Sequence, residues 1–241
     1  MQGEQELIIQ WENLPVYNTI MALAAGAALI SFAKMSRDMI NKTKINPSGW
    51  ALNLGVIGVI LTTTGLHMSL TWPLAPNFPF DNIVFGEPSL ALGLVTLAMA
   101  YYFWKEKKPI VASDQPITYV SKDLRHLRFV LYGLGLALIA IGFAGVIYKL
   151  FAAPPQEPIS GLLADYPLIE SIFISALWAA IGVSALIIPG ILSDFADNKL
   201  SPTVKVKATF SLIKYCGWAL LLFGAMNYFT HIGLIVNTMP G

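Results

Sequence analysis

Two histidines sit where histidine is costly. His67 lies in the run TTTGLHMSLTWPL and His231 in NYFTHIGLI, each close to one end of a long apolar block. Two neutral imidazoles suit haem iron or a transition metal such as copper. The chain has no CxxCH motif, so a haem would be of the non-covalent b type. Each histidine continues a polar stripe. Thr63, His67 and Thr71 recur at i, i+4 and i+8, and Asn227 and His231 at i and i+4, with Tyr228 alongside. Polar side chains at membrane depth face the bundle interior and bind, relay protons or hydrogen-bond. The stripes therefore admit three chemistries: a haem or metal site, a proton or solute path through His and Glu, or plain hydrogen bonds between helices at ~0.6 kcal/mol each.

Two carboxylates widen the first option. Glu87 precedes Pro88 at the start of one block, and Glu170 lies one turn into another. His67, His231, Glu87 and Glu170 together would make a credible transition-metal set. Attraction to helix N-termini explains the two glutamates equally well. The four residues belong to four different helices, so only the fold decides whether they meet. His126, in the basic segment KDLRHLR, is an ordinary interfacial residue, and Cys216, the single cysteine, rules out intramolecular disulfides and thiolate clusters. No phosphate loop, ordered Ser/His/Asp set or HExxH is present.

The elements that must position these residues are membrane spans. The chain is 56% hydrophobic and 12% charged, about half the charged share of a soluble domain. Its apolar residues come in blocks of the length needed to cross a hydrocarbon layer, about 20 residues. Six spans are expected, at about 17–33, 50–71, 88–104, 129–150, 167–191 and 210–236, forming one all-α membrane domain over 1–241. Pro15, Pro88 and Pro167 mark helix starts, and Pro189 should kink or end the fifth span.

Charge orients the bundle. The loops holding Lys34 to Lys44, Lys105 to Arg128 and Lys199 to Lys214 carry 14 of the 15 basic residues, leaving only Lys149 on the other side. The positive-inside rule makes these loops cytoplasmic in a plasma membrane and places both termini outside. The outer side holds Glu4, Glu6, Glu12, Asp81, Glu87, Glu157, Asp165 and Glu170. Such an acidic rim repels nucleic acid, so the expected partners are membrane lipid, other membrane subunits or further copies of the chain. The N-terminus has neither the basic segment nor the cleavage site of a removable signal peptide. The segment 105–128 is expected to be a cytoplasmic loop, too short for its own core.

The spans suggest three hairpins, each entering from outside and returning. WALNLGVIGVILTTTGL laid over WALLLFGAMNYFTHIGL matches Trp50 to Trp218 and Gly65 to Gly233, and sets His231 on Thr63, one turn from His67. Gly133 with Gly135, Gly142 with Gly145, and Gly217 with Gly224 suit close helix approach. The first outer loop, TWPLAPNFPFDNIVFGEP, places Trp72, Phe78, Phe80 and Phe85 either in an interfacial aromatic belt or as a lid over a lipophilic ligand such as a quinone.

The strings LPVYNTIMALAAG, GWALNLGVIGVILTTTGLHMSLTWPL and FPFDNIVFGEPSLALG resemble the DUF 981 family of uncharacterised archaeal and actinobacterial membrane proteins. The resemblance is best over residues 1–105 and takes in Tyr17, Asn18, His67, Asp81, Asn82 and Glu87. It implies a prokaryotic membrane location, with no activity and no catalytic residues to carry over. The leading expectation is a binding or accessory subunit in an electron-transfer or membrane-oxidase setting, with a haem, metal or quinone-type site at the outer leaflet. The alternatives are a small-solute or proton-coupled transporter and a purely structural subunit. Against transport, no span carries an ionisable residue near its middle.

Overall fold

A computed structural model describes residues 9, 11, 17–43, 45–199 and 203–239. Glu4, Glu6 and Glu12 of the acidic side, Lys44 of the basic side and the helix-start Pro15 lie outside these. Six long apolar helices form the molecule: α1 (Asn18–Ile40), α2 (Pro47–Thr71), α3 (Pro79–Lys105), α4 (Pro116–Ile147), α5 (Pro167–Ala196) and α6 (Val204–Thr238). No strand occurs among the described residues, so the all-α reading holds.

Local chemistry sets the helix ends. Pro47, Pro79, Pro116 and Pro167 open α2 to α5, where a fixed φ helps and the missing N–H is no loss. The Asn46 side chain accepts the Gly49 N–H at 3.0 Å as the cap of α2. That helix stops where Trp72 turns left-handed at φ 49° ahead of Pro73. Pro189 does not end α5, which continues to Ala196 with the proline buried.

The segment expected to be a loop between α3 and α4 is mostly helical. A short helix spans Lys107–Ala112, and α4 begins with the amphipathic stretch Pro116–Leu124, which lies on α5 and α1. Ile110 and Val120 are buried with Met39, Leu54 and Phe103. The Tyr102 hydroxyl donates to Asp123 and the Tyr119 hydroxyl to Glu106, each at 2.8 Å. Arg125 at 3.2 Å and Lys199 at 3.0 Å both reach Asp197, and Lys199 foremost holds that carboxyl below its usual range. The charged residues disguised the helix because its apolar face is narrow: Ile117, Val120 and Leu124.

The six helices pack as three tight pairs: α2 with α3, α4 with α5, and α6 with α1. Each pairing is shifted by one helix from the hairpins the sequence suggests. The cause is a repeated glycine pattern. The first helix of each pair carries two glycines seven residues apart: Gly58 and Gly65, Gly135 and Gly142, Gly217 and Gly224. The partner helix answers with one: Gly93, Gly182 or Gly26. A Cβ at Gly26 would stand 2.5 Å from the Leu221 nitrogen, at Gly93 2.5 Å from the Thr62 nitrogen, and at Gly182 2.7 Å from the Gly135 oxygen. Backbone touches backbone at the same place in all three pairs, so the bundle is one helix pair repeated three times, the third formed by the first and last of the six helices.

This packing also corrects the register of the repeat. Setting Gly58 and Gly65 on Gly217 and Gly224 places His231 on Trp72 instead of Thr63, and Met226 on His67. Laying Trp50 on Trp218 matched apolar letters, which recur readily by chance, whereas close contact allows only glycine.

Replacing Gly26, Gly93 or Gly182 by valine should cost at least ~1–3 kcal/mol each through overpacking. Gly133→Ala, at a site with nothing within 4 Å, should be neutral or stabilising. Thermal unfolding in detergent measures both.

Candidate functional site

The two histidines face different surroundings. The Tyr17 hydroxyl lies 2.7 Å from His67 Nδ1, with the rings edge to face at 5.7 Å between centroids. Thr71 donates to the His67 carbonyl at 2.7 Å. Thr63, one turn earlier, donates to the Val59 carbonyl of its own helix at 2.9 Å. Thr63 and His67 are both exposed on the protein surface. His231 is half-buried, and its Nδ1 lies 2.9 Å from the Asn227 carbonyl. A carbonyl only accepts, so Nδ1 donates to it, and in the neutral imidazole Nε2 is left as an acceptor.

Only some of the expected residues come together. His231, Asn227 and Glu170 line one vestibule of about 220 Å³ at the end of the bundle where α1 begins and α6 ends. Glu170 is half-buried there and accepts the Ala153 N–H at 2.9 Å. His67, Thr63, Tyr228 and Glu87 are exposed and line neither this vestibule nor the cavity beneath it. Among the described residues no group of three or more His, Cys, Asp or Glu gathers as a metal site. The set His67, His231, Glu87 and Glu170 is therefore split, with His67 held at the seam between α1 and α2. The helices carry these residues on faces that pairing sends outward, which no spacing in the sequence reveals.

Beneath the vestibule lies a second, apolar cavity of about 210 Å³ running between α1, α3, α4, α5 and α6. Its lining extends from Asn18 and Asn227 at the vestibule end to Leu124, Phe195 and Phe210 near the basic end. Helix α2 contributes none of it, which is why the Thr63–His67 stripe misses the interior. Asn18, Phe85, Ile174, Phe223 and Asn227 belong to both linings and form the neck between the two spaces.

The neck is polar without being satisfied. Asn18 Oδ1 is buried with no hydrogen-bond partner. Asn227 is 7% exposed, and the hydrogen bonds at this residue use its backbone carbonyl, leaving the carboxamide free among the described residues. Such groups normally find partners, because desolvating one without compensation costs ~1–3 kcal/mol. Phe85 completes the neck, 6.2 Å from Trp178 and 6.4 Å from Phe151 between ring centroids.

Phe85 owes its position to a π-helical turn, Asn82–Gly86, within α3. Such turns recur at functional sites. Asn82, 1% exposed, staples the preceding loop by accepting the Leu74 N–H at 3.2 Å and donating to the Pro79 carbonyl at 3.1 Å. Phe78 and Phe80 also face the vestibule, while Trp72 is exposed. Sequence reasoning missed Asn18, Asp81 and Trp178 as lining residues. An asparagine in the first turn of α1 was the one available signal for Asn18.

Asn82→Ala should leave the Leu74 N–H buried and unpaired and cost ~2 kcal/mol, whereas Tyr17→Phe should cost ~1 kcal/mol or less. Thermal unfolding separates the two.

The profile of the family described as "Protein of unknown function (DUF981)" matches residues 15–233. No curated protein and no solved structure matches the chain.

Proposed function

The chain belongs to the DUF981 family, and we propose that it binds one long amphipathic molecule of the lipid or quinone class. The apolar chain would lie in the central cavity and the polar head in the vestibule. The observation that carries this reading is the neck, where a buried, unpartnered Asn18 Oδ1 and an Asn227 carboxamide that makes no hydrogen bond among the described residues stand between an apolar space and a polar one. An apolar ligand alone would leave both carboxamides unpaired. A water-soluble ligand would have no use for the cavity.

Charge supports an orientation with the basic loops cytoplasmic and the vestibule at the outer leaflet. Exposed side chains such as Phe129, Leu136, Phe143 and Ile147 on α4 would then meet lipid tails. A quinone in the cavity would make the chain a binding subunit in an electron-transfer or oxidase setting. This reading is preferred to a haem or metal held by His67 and His231 because His67 is engaged by Tyr17 and lines neither space.

Organic extraction of the purified protein, followed by mass spectrometry, should recover one amphipathic molecule enriched over bulk membrane lipid. Ala185→Phe, which places a large ring in the cavity wall, should abolish that enrichment while the protein still unfolds cooperatively. Extraction that returns only bulk lipid in bulk proportions would refute the reading.

A further inference from the structure

The acidic and basic side chains that line the vestibule are unequal in number. Asp81, Glu157 and Glu170 line it against a single ammonium, Lys149. Lys149 is exposed, and among the described residues no ion pair joins it to any of the three carboxylates. Glu170 has only the Ala153 N–H, and no donor reaches the Asp81 or Glu157 carboxylate among the described residues. The neck adds the buried, unpartnered Asn18 Oδ1, the Asn227 carboxamide, which offers an acceptor oxygen beside its NH2 group, and the Nε2 of a neutral His231. Phe85, Phe151 and Trp178 supply ring faces at the same level.

We infer that the head group received here is an ammonium bearing N–H donors, so that the ligand is a long-chain amine or aminolipid. An ammonium is attracted by carboxyl groups that outnumber Lys149, and its N–H groups can bond Asn18 Oδ1 and the carboxyl oxygens. Ring faces beside the path favour a cation further. A phosphate or sulfate head would meet the same wall as an uncompensated anion. The inference rests on the amphiphile reading above and adds the head-group class to it.

The test uses the full chain in a non-ionic detergent, with three probes of equal tail length: tetradecylamine, tetradecanol and tetradecyl sulfate. Native mass spectrometry reads the occupancy of each. Tetradecylamine should bind ~10-fold more tightly than tetradecanol, and the sulfate more weakly than either. The double variant Glu157→Gln, Glu170→Gln should bring the ratio of amine to alcohol binding to about one, and Asp81→Asn alone should lower that ratio part of the way. Cooperative thermal unfolding reports that each variant is folded. Alcohol binding without any preference for the amine, or a preference that survives neutralisation, overturns the head-group inference alone. If none of the three probes binds the native chain, the amphiphile reading falls with it.

Discussion

Backbone contact through glycine is the constraint on which the rest of this bundle depends. Between membrane helices no hydrophobic force acts, since lipid tails are as apolar as leucine, so association comes from close packing and a few polar contacts. Three pairs exploit that in the same way, with two glycines on one helix and one on its partner. Within a pair the helices cannot separate without losing dispersion along the whole seam. Between pairs the contacts are made by longer side chains and are fewer. Tight pairs around a looser centre leave space inside, and the apolar cavity lies there.

The polar groups then divide by where the pairs carry them. Thr63 and His67 lie on α2, outside the cavity wall, and satisfy each other's neighbourhood locally through Tyr17 and backbone carbonyls. Asn18 and Asn227 lie on α1 and α6, which face the interior; Asn18 Oδ1 is buried without a partner, and no side-chain hydrogen bond engages Asn227 among the described residues. A carboxamide that is buried and idle lowers stability, so its presence at the mouth of a cavity argues for a ligand more strongly than a satisfied histidine does. The histidines attracted attention by residue type, but satisfaction is the better guide to function.

Much of the architecture was legible from the residues alone. The number and approximate place of the spans follow from block length, and the structure lengthens them mainly at the basic end, where Arg37 and Lys205 continue helices that hydropathy stops short. Pairing was not legible, although the glycines were in plain view: Gly217 and Gly224 stood out, but their spacing was not compared with Gly58 and Gly65. Of the candidate residues, Asn227, His231 and Glu170 line the vestibule and His67 and Glu87 do not, because depth along a helix can be read from a sequence whereas azimuth cannot. Phe85 was read as belt or lid, and the sequence could not choose between them for another reason. A π turn rotates everything after it, and nothing in NIVFG announces one.

The threefold repeat also explains why the vestibule sits at one corner. Two of the pairs are joined at that end by connections of their own, the Trp72–Phe78 turn between α2 and α3 and the Tyr148–Tyr166 segment between α4 and α5. The third pair, α6 with α1, has no such connection, because its helices are the first and the last of the six. Both unpartnered asparagines belong to that pair, and the two connections bring Phe78, Lys149, Phe151 and Glu157 toward it. A fully symmetric bundle would close all three corners alike. Where the repeat lacks its connection, Trp11 lies against the end of α6, its Nε1 donating to Thr238 at 2.9 Å, and the vestibule opens beside it at that break in symmetry.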